Sequence, residues 1–231
     1  MKRIWFLGFL PLMLLFASCE KNDVGPYYSY IYKEHFIDIY YTGGIELMHY
    51  GSEGSCTALR IGATDMDKFI IEANNPLEYE QQAELHGDYF NRWVYEYRGW
   101  CIKIFAEQFQ SLHVVSDADW DEEHPAGTLL DDLLRVEFTS IGAFVRGGYH
   151  AGGTDESEWM HDWQYFTRVD KPVSELTPSD MDMMECEYVL LYFMRAPTLE
   201  REHTLTVILT TTEGKVYTDS LYCIPEVESE D

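Results

Sequence analysis

The chain reads as mainly β, an antiparallel β-sandwich of loosely immunoglobulin-like architecture with short connecting helices, and three observations predict this. Short runs rich in aromatic and β-branched residues recur along its length, separated by Gly, Asn-Pro and Arg-Gly punctuation. Residues 188–194 (YVLLYFM) are continuously apolar, which suits a central strand buried on both faces. Finally, 203–212 and 215–224 flank Glu213-Gly214, and Leu205, Val207 and Leu209 alternate with Thr204, Thr206 and Thr210, the pattern of a hairpin.

At the amino end, Lys2 and Arg3 precede an uncharged stretch over 4–16, and Ala17-Ser18 supply small residues just before Cys19. This is the layout of a signal peptide over 1–18. Its apolar part is about two thirds of the roughly 20 residues that span a bilayer, and Pro11 interrupts it. The arrangement resembles the lipobox of bacterial lipoproteins, although Phe16 stands where that pattern usually has Leu. The resemblance implies cleavage before Cys19, acylation of its sulfur and new amino group with palmitate-type chains, and a membrane anchor on the cell envelope. Two or more acyl chains hold a protein stably, at about 0.8 kcal/mol per buried methylene. Glu20-Lys21-Asn22-Asp23 is similar to the acidic export signal of Bacteroidetes lipoproteins displayed on the outer membrane surface. It also reads as the start of a hydrated tether over 19–26, closed by Gly25-Pro26.

The first strand region is 27–41 (YYSYIYKEHFIDIYY), followed by a Thr42-Gly43-Gly44 turn. Further short runs at 58–61, 69–73, 92–97 and 100–105 suit strands, and Tyr79, Gln82 and Leu85 suggest a brief helix over 78–85. Strands are expected at 112–115 and 133–138, with Thr128 capping one helical turn over 129–132. Four glycines and several polar residues make 145–158 the best candidate for a mobile, function-bearing loop. Thr177-Pro178-Ser179-Asp180 reads as a helix start running to about Met184. One domain over 27–225, followed by an acidic tail at 226–231, accounts for the length.

The formal net charge is −25, from 16 basic and 41 acidic residues, and loss of Lys2 and Arg3 with the leader makes it −27. So acidic a body excludes nucleic acid as a partner, because phosphate backbones are held by Lys and Arg fields. It also stands off anionic lipid, while a cation, a neutral glycan or a peptide remains compatible. Five cysteines become four once Cys19 is acylated: Cys56, Cys101, Cys186 and Cys223. An even number in an exported chain permits two disulfides in three pairings, and nearness in sequence favours Cys56 with Cys101 and Cys186 with Cys223. The alternative is four buried free thiols.

Three constellations carry candidate chemistry. Asp117, Asp119 and Asp121 alternate in DADWDEEH, as calcium-binding loops do, but Glu122 replaces the EF-hand Gly and Thr128 its final Glu. The competing reading is an acidic turn whose Asp side chains cap local amides. His150, Asp155, Glu156, Glu158, His161 and Asp162 offer zinc-ligand and acid/base types, without an HExxH motif. Third, the chain has 6 Trp, 17 Tyr and 12 Phe, and Trp159, Trp163 and Tyr165 stand among Asp155 and Glu158. Aromatic faces beside carboxylates can hold a sugar ring or a peptide; equally, such rings can pack over the end of a sandwich.

From Val115 onward, VSDADWDEEHPAGTLLDDL, the apolar strand and HTLTVILTTTEGKVYTDSLY together resemble a group of small exported lipoproteins of Bacteroidetes. The resemblance implies fold class and address, and no activity. The expected function is therefore non-catalytic binding of glycan or protein through 145–165, with no cofactor beyond the calcium candidate. The alternatives are a carboxylate- or metal-dependent hydrolase, and a structural subunit of a surface assembly whose hairpin edges pair with partner strands.

Overall fold

A computed structural model describes residues 30–50, 56–64, 67–70, 76–95, 101–149 and 166–227. The leader, Cys19, the tether and the stretch 150–165, with its candidates Asp155, Glu158, Trp159, Trp163 and Tyr165, lie outside the described residues. In chain order the elements are β1 (Tyr30–Lys33), β2 (Ile39–Thr42), β3 (Ile45–Tyr50), β4 (Ala58–Ala63), β5 (Asp67–Ile70), α1 (Pro76–His86) and β6 (Arg92–Tyr95). There follow β7 (Lys103–Phe105), β8 (Phe109–Ser116), β9 (Leu134–Ser140), α2 (Gly142–Arg146), β10 (Thr167–Pro172), β11 (Val189–Phe193), β12 (His203–Thr211) and β13 (Val216–Cys223).

The protein is mainly β, with antiparallel sheets packed as a sandwich. A five-stranded sheet in the order β10-β9-β11-β4-β3 faces a three-stranded sheet, β13-β12-β8. Strict alternation of buried and half-buried residues along β9 and β12 follows from the period of two in a pleated strand, with one face turned to the core. Leu59, Ile61, Val136 and Leu191 meet Leu112, Val114, Leu205 and Val207 in that core. Each such side chain contributes roughly 1.5–3 kcal/mol on burial. β11 is central, between β9 and β4, as its continuous apolar run predicts. Trp120, fully buried, plugs the core between Phe193 and His203, with ring centroids at 5.8 and 4.8 Å. At the other edge, the Leu47 amide donates to Asp219 Oδ2 at 2.7 Å, stitching β3 to β13.

A small sheet in the order β5-β2-β7 serves two cores at once. Tyr41 and Phe105 belong to the sandwich core, whereas their neighbours Tyr40 and Ile104 belong to a second cluster with Tyr79 and Ala83 of α1 and Phe144 and Val145 of α2. β1 and β6 pair separately as a two-stranded ribbon, with Tyr32 opposite Trp93 and Lys33 opposite Arg92.

Several expectations are corrected. The 27–41 run is broken at 34–38, where backbone amides turn toward Asp88 instead of continuing a ladder. β3 was not anticipated, although its Ile45 and Leu47 alternate with Glu46. In α1 the buried positions are Tyr79, Ala83 and His86, so the face is rotated from the expected Tyr79, Gln82 and Leu85, and Leu85 is exposed. Gly87, at φ +67°, ends that helix in a conformation that favours glycine. No helix forms at 129–132: Leu129 bridges Val115, and the Thr128 hydroxyl donates to the Pro125 carbonyl. The segment 178–183 is a succession of turns, because Met184 and Glu185 are drawn into bridges with Ser140 and Ile104.

Candidate functional site

The site is built around the base of the β1–β6 ribbon. Asp88, directly after the glycine that ends α1, is fully buried, and its carboxylate collects donors from three elements. The Phe36 amide lies 2.9 Å from each oxygen, the Ile37 amide 2.9 Å from Oδ2, the Tyr149 hydroxyl 2.5 Å from Oδ1 and the Tyr40 hydroxyl 3.4 Å from Oδ2. A buried carboxylate is tolerated only when its lone pairs are filled in this way. Burial, reinforced by Asp88, pushes the Tyr40 and Tyr149 hydroxyls well above their ordinary range, so both remain donors. Tyr149 adopts φ +62°, a left-handed conformation disfavoured for a bulky residue, and its hydroxyl is held by this same carboxylate.

His35 sits beside this carboxylate, buried. Its Nδ1 lies 2.5 Å from the Asp88 carbonyl oxygen, which can only accept, so Nδ1 carries a proton and Nε2 turns to Glu80 at 3.0 Å. One ligand atom each from Glu34, His35 and Glu80 lies within 4.8 Å of the others, a grouping that no other His, Cys, Asp or Glu among the described residues makes. A neutral imidazole oriented by a carbonyl, with two carboxylates, is a donor set that zinc accepts. A doubly protonated His35 satisfies Glu80 as an ion pair in the same geometry.

The ribbon carries this base outward. Asn91, at φ +49°, hands its amide to the Glu34 carbonyl at 3.0 Å and so extends the ladder beyond Lys33 and Arg92. Tyr32 and Trp93, a directly paired couple, meet edge to face at 5.6 Å, and yet they are 47% and 68% exposed. Two large rings in mutual contact and open to solvent form a platform, with the exposed Glu34 and Asn91 at its foot. Arg92 Nη2 donates to the Gly148 carbonyl at 3.2 Å, which ties the ribbon to the end of α2. Tyr149 and Phe166, the residues on either side of 150–165, both pack on Phe36, at 5.7 and 5.9 Å. Sequence reasoning passed over Tyr32 and Trp93; the aromatic surplus pointed to such a pair, but only strand register distinguishes exposed rings from core ones.

In the DADWDEEH segment Asp119 and Asp121 cap local amides, while Asp117 ties the turn to β12. Asp117 Oδ1 accepts the Thr204 amide at 2.6 Å, Asp119 Oδ1 the Ala126 amide at 2.7 Å, and Asp121 Oδ1 the amides of Glu123 and His124 at 2.9 Å. The three carboxylates serve different donors, and the grouping of three ligand atoms within 4.8 Å found among the described residues is that of Glu34, His35 and Glu80. His124 is clasped by Asp121 at 2.7 Å and Asp132 at 3.1 Å; burial disfavours its charged form, but the two carboxylates outweigh burial and raise its pKa.

Ser116 and His203 form a buried pair, Oγ donating to Nδ1 at 2.7 Å, while Nε2 donates to the Glu200 carbonyl at 3.0 Å. Both residues are shut beneath Trp120, so the pair tethers β8 to β12 and presents no nucleophile to a substrate. All four described cysteines are free thiols, and Cys101 is exposed. The pairing expected from nearness in sequence is corrected: buried Cys56 bridges Pro225, two residues after the buried Cys223, whereas Cys101 is exposed. No family model, no curated protein and no solved structure matches the chain.

Proposed function

We propose that this is an exported, lipid-anchored protein of the cell envelope that binds a neutral glycan, without catalysis, on the platform formed by Tyr32 and Trp93. The observation that carries the reading is that cross-strand pair: two rings in contact at 5.6 Å, exposed on a ribbon whose base is fixed by a buried carboxylate. Apolar sugar faces stack on such rings, and acceptors like Glu34 and Asn91 at the foot can take hydroxyl hydrogens. Rigid presentation matters because ordering a loose loop on binding costs affinity. Tyr149 and Phe166 pack on Phe36 at the ribbon base, which adds to its rigidity. The net charge of −25 favours neutral over anionic sugars.

The test is a glycan array probed with the full chain, alongside its Trp93→Ala variant. The reading expects selective retention of neutral glycans, with no turnover, lost in the variant. Retention on a peptide array with silence on glycans would replace the glycan by a protein ligand.

A further inference from the structure

Cys56 and Cys223 are far apart in sequence but adjacent in the fold. Residue 56, just before β4, forms a parallel bridge with Pro225, and its carbonyl accepts the Glu226 amide at 3.0 Å. Cys223 ends β13 two residues before Pro225, and the period of an extended strand brings positions 223 and 225 to one face. Both thiols are buried in the same core cluster. His49, exposed at the end of β3, places Nδ1 3.4 Å from Cys56 Sγ. Cys186 belongs to that cluster too, but its backbone amide is tied to the Lys103 carbonyl at 3.4 Å, away from the bridge between residues 56 and 225, and Cys101 lies exposed before β7.

We infer that Cys56 and Cys223 are an oxidisable pair, with His49 as the residue that positions and activates Cys56, and that they close to a disulfide joining the start of β4 to the end of β13. The Cys56 thiol is within reach of the Ala58 carbonyl at 3.6 Å, and its proximity to Cys223, opposed by burial and helped by His49, lowers it below the usual thiol range, while Cys56 and burial push Cys223 up. Cys56 is thus the attacking thiolate and Cys223 the resolving thiol. With a disulfide oxidant, Cys56 sulfur attacks one oxidant sulfur, the oxidant S–S bond breaks and one thiol leaves. Cys223 then displaces the second oxidant thiol from the mixed disulfide. Two protein thiols are oxidised and one disulfide oxidant is reduced: its two sulfurs leave as thiolates and take up, through solvent, the two protons that Cys56 and Cys223 give up. In the cell this rests on the exported address proposed above, since a reducing cytosol would keep the pair open.

The experiment treats the full chain, purified in detergent, with oxidised glutathione and maps its peptides without reduction. The expected product is a peptide linked through Cys56 and Cys223, with a melting midpoint about 5 °C or more above that of the dithiothreitol-treated protein. Cys56→Ser and Cys223→Ser should each abolish both effects, whereas Cys101→Ser should abolish neither. His49→Ala should move the midpoint of the pH–rate profile for oxidation upward without changing the linked product. Failure of the pair to link, or linkage of Cys186 or Cys101 instead, overturns the inference. Protein isolated reduced from its native cells that links at Cys56 and Cys223 in glutathione supports the pairing and counts against the exported address.

Discussion

Asp88→Ala would remove the acceptor on which the ribbon base depends, and its cost can be worked from the contacts. Two amides, Phe36 and Ile37, and two hydroxyls, Tyr149 and Tyr40, lose their partner in a fully buried place. An unsatisfied buried donor costs about 1–3 kcal/mol, and with the 3.4 Å contact counted lightly the sum is about 4–8 kcal/mol. That is a large part of the roughly 5–15 kcal/mol that holds a typical domain together. At 2–4 °C per kcal/mol for a chain of this length, the melting midpoint should fall by about 8–32 °C. Asp88→Asn is the milder probe. Its carbonyl can take the Oδ2 position and keep both amides, while the Tyr149 hydroxyl turns to accept from the new NH₂. A loss of about 2 kcal/mol is expected, mainly from the charge on the surviving bonds. Urea melts followed by near-ultraviolet circular dichroism read both variants. An Ala variant within about 1 kcal/mol of the parent would refute the assignment of Asp88 as the fixing point, as would an Asn variant less stable than Ala.

The pH dependence of the DADWDEEH turn follows from His124, whose pKa is raised by Asp121 and Asp132. A raised folded value stabilises fully below the ordinary imidazole range near 6.5, and the gain is lost as pH rises through the folded value. The melting midpoint of the parent should therefore fall more steeply between pH 6 and 8 than that of His124→Gln; parallel slopes would contradict this. Asp121, whose pKa is lowered by its hydrogen bond with His124, contributes above the ordinary carboxyl range, and that contribution fades only as pH falls through its depressed value. Trp120→Ala empties a fully buried position and should cost about 3–5 kcal/mol, a fall of about 10 °C in midpoint. A shift below a few degrees would mean that Trp120 is not the plug of the sandwich core.

Hairpin β12–β13 and central strand β11 were legible because their information is local: a two-residue alternation around Glu213-Gly214, and an uninterrupted apolar run. The turns at 128–132 and 177–184 misled because a Thr or Thr-Pro start signals a helix only if nothing nearby competes. Here Leu129 is taken by Val115, and Met184 by Ser140. The candidate site was least legible. Asp88 is one acid among 41, and its role depends on amides about fifty residues away. Cys56 and Cys223 defeat a nearness rule because sheet order, not chain order, makes them neighbours. Tyr32 and Trp93 stand out only when the register pairs them and the burial pattern leaves them bare.

Calorimetric titration of a neutral glycan selected on the array tests the central claim most directly, using the full chain, Trp93→Ala and Tyr32→Ala. A stacked sugar covering about 60 Å² of the indole face is worth about 1.5 kcal/mol, or roughly tenfold in affinity. Saturable binding by the parent is expected, with a tenfold or greater loss in Trp93→Ala, a smaller loss in Tyr32→Ala, and melting midpoints lowered in both by no more than about 5 °C, the cost of the lost ring contact. Undiminished affinity in Trp93→Ala would contradict it, as would the absence of any neutral-glycan binding by the parent at millimolar concentration.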